Sequence, residues 1–217
     1  MKTKVLCCTC LLLAALAAHS IILAQELKPV DLPKPQTDGG RPLMQVLKDR
    51  SSSRDFSSEK LSSQVLSNLL WAAFGVNRPE SGKRTAPSAM NKQEIDIYVA
   101  TADGLYIYDA RGQKLNPVLA ADVRAATGTQ PFVKDAPVNL VYVADLARTG
   151  GENSEDQILY PAADTGFIAQ NVYLFCASEG LATVVRGSVN RPALAKLMKL
   201  RPEQKIILAQ TVGYPKK

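Results

Sequence analysis

The segment Arg50-Ser51-Ser52-Ser53-Arg54-Asp55-Phe56 places two arginines around three hydroxyls in one short stretch of chain. Guanidinium forks beside short O–H donors suit a phosphate dianion, because each can give a charge-assisted hydrogen bond to a different oxygen. On composition alone a solvated, serine-rich loop is the commoner explanation. What surrounds the segment therefore decides its meaning.

Immediately upstream, Leu43, Val46 and Leu47 recur at helical spacing and predict a short helix that ends at the serine cluster. Residues 25–40 (QELKPVDLPKPQTDGG) are rich in proline and glycine and poor in apolar side chains, which reads as an exposed linker. Further upstream, Lys2 and Lys4 precede an apolar run from Val5 to Leu23, closed by Ala24. Basic start, apolar middle and small residue at the end have the layout of a secretory signal peptide over 1–24, and hence of a secreted or periplasmic protein. A permanent membrane anchor is the alternative, since the run is near the minimum spanning length.

His19, Cys7, Cys8 and Cys10 all fall in that first stretch, so the rest of the 217-residue chain has no histidine and Cys176 as its only cysteine. A Ser-His-Asp triad, a Cys-His pair, a histidine zinc site and an internal disulfide are thereby excluded from the region 25–217. The formal net charge is +6, and a chain lacking Lys2 and Lys4 would carry +4. Such a modest, scattered charge gives no reason to expect nucleic acid as a partner. With 46% hydrophobic residues the chain can bury a core without a metal or disulfide staple.

Downstream, Ser62 to Phe74 predicts a helix with Ser62 or Ser63 as cap, Val65, Leu66, Leu69, Leu70 and Ala73 on one face, and Gly75 past its end. Ile95–Ala100 and Leu105–Tyr108 predict two strands joined by a turn at Ala102-Asp103-Gly104. Val138–Ala144 predicts a buried strand. The stretch 154–178 predicts a long helix interrupted or started at Pro161, and Phe167, Ile168, Val172, Leu174 and Phe175 cover most of its circumference. Such a helix belongs in a deep core or a subunit interface. A strand over Leu181–Val185, a helix over Arg191–Leu200 and a strand over Ile206–Val212 complete a mixed order without strict alternation. That order favours an α+β fold.

Three further segments carry candidate binding groups. In Pro87-Ser88-Ala89-Met90-Asn91 small residues would let the backbone approach a flat ligand, and Asn91 offers a donor and an acceptor. At Val185-Arg186-Gly187 a strand ends at a glycine, which could leave N–H groups pointing at a ligand. The chain closes on Gly213-Tyr214-Pro215-Lys216-Lys217, with two basic side chains. Each alone is equally well a loop, a strand end or a solvated tail. Trp71, Cys176, Asp164 and the Tyr106/Tyr108 pair read as core or packing residues.

Taken in order, from about Arg41 to Lys217, these segments resemble the FMN-dependent nitroreductase family, and most closely the branch that includes the SagB-type oxidases and dehydrogenases. The resemblance implies a three-layer α+β sandwich with a central, mainly antiparallel sheet flanked by helices. It also implies a homodimer in which the C-terminal strand is exchanged between subunits. It implies FMN as cofactor and two-electron, hydride-type transfer through flavin N5 to or from a small organic or peptide substrate, with NAD(P)H or another electron donor. Arg50, Ser51, Ser52 and Lys216 would hold the FMN phosphate, and Arg54 would lie near the N1/O2 side of the ring. Pro87, Ser88 and Ala89 would line the ring from the neighbouring subunit, with Asn91 on its polar edge. Amides around Val185, Arg186 and Gly187 would donate toward N5 and O4. Met90 departs from the glycine common in relatives and narrows the space beside the ring. A non-catalytic flavin- or anion-binding module would use the same cradle.

Overall fold

The structure is a computed structural model that describes residues 26–149 and 155–217. The expected signal segment, with His19, Cys7, Cys8 and Cys10, lies outside the described residues. In chain order the elements are β1 (Val30–Asp31), α1 (Leu43–Asp49), α2 (Ser63–Phe74), β2 (Val76–Arg78), β3 (Lys83–Arg84), β4 (Ile95–Thr101), β5 (Gly104–Asp109) and β6 (Lys114–Leu119). They continue with β7 (Val138–Asp145), α3 (Leu146–Thr149), α4 (Asp156–Glu179), β8 (Ala182–Arg186), α5 (Arg191–Leu197) and β9 (Gln204–Gly213).

Seven strands form one antiparallel sheet in the order β1-β6-β5-β4-β7-β9-β8. Strand alternation divides the core between its two faces. Ile95, Ile97, Val99, Leu140 and Tyr142 pack under α2 and α4, against Leu69, Ile168, Val172 and Cys176. Tyr98, Ala100, Val141, Val143 and Ala209 pack on the other side, against Leu194 and Met198 of α5 and its following turn. With both faces covered, every residue of β7 is buried, which is why its sequence is an almost unbroken apolar run. The result is the expected α+β sandwich: helices, sheet, helix and turns.

Local signals explain most boundaries. The Ser62 hydroxyl accepts the Val65 N–H at 3.2 Å and starts α2. Gly75 ends α2 in extended backbone, not in a left-handed turn. A Cβ there would stand 2.5 Å from Trp71 Cδ1, so close approach is what calls for glycine. Gly180 does close α4 with φ of 70°. α4 runs through Pro161 without a break, because the proline lies in the second turn, where few intrahelical bonds precede it.

Two expectations need correction, and one strand was not anticipated. Of the expected linker 25–40, the described residues 26–40 are mostly exposed but not a free linker. β1 pairs with Lys114–Leu115, Leu32 is buried in the core, and Pro33 C=O accepts from the Ser67 hydroxyl. Its few apolar residues suffice because the strand also covers the open edge of β6. β6 had no sequence signal, since Pro117 argues against a strand. It is accommodated opposite Tyr106, where the β5–β6 register shifts. The C-terminal strand is not exchanged: β9 pairs along its length with β7 on one side and β8 on the other within its own chain, so neither edge is open to a partner.

A buried polar network fixes the register of β7, β9 and β8. Asn139 donates to Val133 C=O at 2.7 Å, and its Oδ1 accepts from Thr211 Oγ1 at 2.6 Å and from Arg186 Nη2 at 3.0 Å. Arg186 also donates to Thr127 C=O and Thr211 Oγ1, and burial lowers its pKa to about 10. Alongside, Tyr142 donates to Gln210 Oε1, and Gln210 Nε2 reaches Thr183 Oγ1. Asn139→Ala should cost about 3 kcal/mol in urea unfolding, because it leaves a buried cation short of an acceptor. A loss well below 1 kcal/mol would show that the network carries no such weight.

Candidate functional site

The loop that follows α1 folds back on the outer edge of β8. Ser53 N–H donates to Thr183 C=O at 3.0 Å. Tyr173, on α4, joins the loop, the helix and the strand. Its hydroxyl accepts the Val185 N–H at 2.9 Å and lies 2.8 Å from Ser52 Oγ, while the Arg50 guanidinium sits over its ring at 5.4 Å from the centroid. Tyr173 is buried and Arg50 half-buried, so these contacts fix the direction of Arg50. Sequence reasoning missed Tyr173, which looks like one more apolar position of α4.

The C-terminal tail meets the same loop. Pro215 bridges Phe56, Tyr214 C=O accepts from Ser57 N–H, and Lys216 N–H donates to Asp55 C=O at 3.2 Å. Arginines and lysine from opposite ends of the chain therefore converge on one region. Among the described residues, no carboxylate forms an ion pair with Arg50, Arg54 or Lys216. Ser51, Arg54 and Lys216 are exposed.

At β8 the donors divide by alternation. Thr183 and Val185 turn their backbone groups away from β9, so Gly187 shares that outer edge and Arg186 turns its amide toward β9. Two of the three expected amides are therefore spent. The Val185 N–H is bonded to Tyr173, and Arg186 belongs to the sheet and the buried network. Gly187 follows the last residue of β8 and is exposed.

The segment Pro87–Asn91 lies elsewhere. Arg84, whose pKa burial lowers, stacks on Phe74 at 4.5 Å and binds Gln93 Oε1, holding the approach to this turn. Ser88 Oγ accepts the Gln93 N–H, Asn91 Oδ1 accepts from Gln93 Nε2, and Ala89 N–H donates to Asp164 on α4 at 2.8 Å. Nine residues separate Asp164 from Tyr173, about 14 Å along the helix. One chain therefore does not bring Pro87, Ser88, Ala89 and Asn91 to the Arg50 cluster. Met90 and Asn91 have left-handed backbone, with φ of 49° and 54°, and Met90 is 73% exposed.

Two cavities flank the cluster without enclosing it. One of about 770 Å³ lies between loop and tail, lined by Phe56, Ser57, Asp135, Tyr214 and Lys216. The other, about 500 Å³, lies between α1, α2 and α4, with Arg41, Trp71, Asn171 and Phe175 on its walls. Neither is lined by Arg50 or Ser52. Beside the second, Leu43, Met44, Leu47 and Phe167 are exposed apolar side chains of α1 and α4.

The nitroreductase family model matches residues 47–214 of this chain. A protein of Methanocaldococcus jannaschii described as a candidate nitroreductase is 32% identical over 169 residues, covering 73% of this chain and 85% of that protein. The crystal structure of a candidate nitroreductase of Ralstonia eutropha is 44% identical, with a TM-score of 0.84 over 88% of this chain and 91% of the other. A candidate nitroreductase structure from Anabaena variabilis, 19% identical, shares the fold with a TM-score of 0.72 over 87% of this chain and 42% of its own. The loop after α1 lies at the start of the matched region and Tyr214 at its end, with Pro215 and Lys216 just beyond it, and the chain belongs to the nitroreductase family of oxidoreductases.

Proposed function

We propose that this chain is an FMN-dependent oxidoreductase that works as a homodimer, with the flavin phosphate seated at Arg50, Ser51 and Ser52 and approached by Lys216. The observation that carries this reading is the Tyr173 junction, which fixes Arg50 and Ser52 beside a β8 edge whose next outward amide is Gly187. Cationic and hydroxyl donors without carboxylate partners fit a phosphate monoester. The exposed Gly187 fits a flat ring approaching the strand end, with no side chain to block it. When bound, FMN supplies hydride-type, two-electron transfer at N5. The protein's residues bind and orient it, and Arg54, on the same loop, stabilises negative charge near N1 and O2.

The dimer supplies what one chain lacks. The Pro87–Asn91 turn lies about 14 Å along α4 from the Tyr173 junction, and in a dimer it lines the ring from the second copy. The exposed apolar side chains of α1 and α4 fit such a contact surface. The substrate is a small organic molecule or peptide, as in the SagB-type branch, and the electron donor is NAD(P)H or another reductant. The N-terminal segment 1–24 acts as a signal for secretion to the periplasm or beyond. A flavin-shaped visible spectrum that bleaches with reductant and recovers with an acceptor supports turnover, whereas a spectrum that never bleaches favours a binding module.

Arg50→Ala should weaken FMN binding by roughly 1.5–3 kcal/mol, the range for a hydrogen bond to a charged group. Unchanged affinity in a fluorescence titration would move the phosphate elsewhere. Tyr173→Phe removes only a hydroxyl, so affinity should fall by about 1 kcal/mol, roughly fivefold, with the fold intact by circular dichroism. An affinity equal to wild type would strip Tyr173 of its orienting role. Met90→Gly should raise the melting temperature through relief of left-handed strain and raise kcat/KM more for bulky acceptors than for small ones. Equal gains for both sizes would mean that Met90 does not border the substrate.

A further inference from the structure

Beneath the Pro87–Asn91 turn, two carboxyl groups are buried side by side. Glu94 is 1% exposed and Asp164 2% exposed. Asp164 has a partner, the Ala89 N–H, whereas among the described residues no donor reaches either carboxyl oxygen of Glu94 in good hydrogen-bond geometry. An ionised carboxylate left so bare in a protein interior is strongly disfavoured. A protonated Glu94 removes the difficulty, because its O–H can donate to the neighbouring Asp164.

We propose that Glu94 and Asp164 share one proton and that this pair anchors the turn Ser88–Gln93 to α4, holding it closed while the proton is present and releasing it when the proton is lost. The groups facing the pair do not replace that proton. Arg148 of α3 donates to the backbone C=O of Glu94, and its charge is engaged by Asp96 of β4 and Asp145 of β7. Lys92 of the turn and Asp156 and Tyr160 of α4 line a small cavity beside Glu94. Burial is the main force that pushes the Glu94 pKa up to about 7 from an ordinary 4.5; a hydrogen bond from its own backbone N–H opposes, the hydrogen bond and negative charge of Asp164 add to the rise, and the Arg148 charge opposes.

Loss of the proton sets two buried carboxylates against each other, and the weakest of the surrounding elements gives way. β4 and α4 are held by the sheet and the core, whereas the turn carries three non-glycine residues with left-handed backbone, Met90, Asn91 and Gln93. A bond from this turn to α4, Ala89 N–H to Asp164, runs through the carboxylate that the repulsion would displace. The sign for stability follows. The folded chain binds this proton more tightly than the unfolded chain, so stability is full below pH 4.5 and declines as pH rises to about 7. The proton sharing is independent of the flavin reading. Only its consequence, a looser ring-lining turn above neutral pH, rests on that reading.

Carbon-13 carboxyl titration of the purified full chain, with amide exchange read at Ala89, tests the pair without any assay of activity. One glutamate should titrate near pH 7 in wild type, vanish in Glu94→Gln, and return toward the ordinary range in Asp164→Asn. Ala89 protection in wild type should fall, by up to about tenfold for each pH unit, as pH rises from about 5 toward the midpoint, then level off above it, and should stay level throughout in Glu94→Gln. All glutamates titrating below pH 5.5 would overturn the shared proton. The same loss of Ala89 protection in Glu94→Gln would overturn its control of the turn.

Discussion

Everything that converges near Tyr173 depends on the placement of β9 between β7 and β8. A strand paired on both edges cannot slip by one residue without turning Ala209, Thr211 and their neighbours to the wrong face. Asn139, Arg186, Gln210 and Thr211 add buried hydrogen bonds that close only in this register. Because β9 is fixed, the four residues after Gly213 have to emerge beside Phe56, and β8 has to present its outer edge to the loop after α1. The polar cluster is thus a by-product of sheet order: the two ends of the family segment meet because the last strand is central, not peripheral.

Much of this was legible from the amino-acid order because local and global signals agree. The Ser62 cap, the 3.6-residue spacing of α2 and the β-branched run of β7 each specify an element whose burial the sandwich then uses. The loop Arg50–Phe56 carried a weak signal from residue types alone, and only its order with the later segments pointed to the family. β6 was hidden by Pro117, and β1 by a proline-rich setting in which a single buried Leu32 holds the strand. Tyr173 was hidden because one hydroxyl on an apolar helix carries no periodic signal. The direction of the Arg186 amide was hidden as well, since alternation along an edge strand follows from pairing partners that sequence does not reveal.

The two halves of the candidate site differ in physical character. The Arg50–Ser52 side is held by Tyr173, by backbone bonds to β8 and by the tail, so its donors are set before any ligand arrives. The Ser88–Gln93 turn has left-handed backbone and an exposed methionine, and its Ala89 N–H is bonded to the Asp164 carboxylate of α4. Preset donors on one side and a left-handed turn on the other fit the proposed division between a cofactor held throughout and a substrate that comes and goes.

A crystal structure of the chain grown with FMN tests the seat most directly. The phosphate is expected within hydrogen-bond reach of Arg50 and Ser52, with Lys216 nearby and the ring extending toward Gly187. A phosphate lodged instead in the cleft between Arg41, Trp71 and Asn171, or an FMN that makes no contact with the loop after α1, would contradict it.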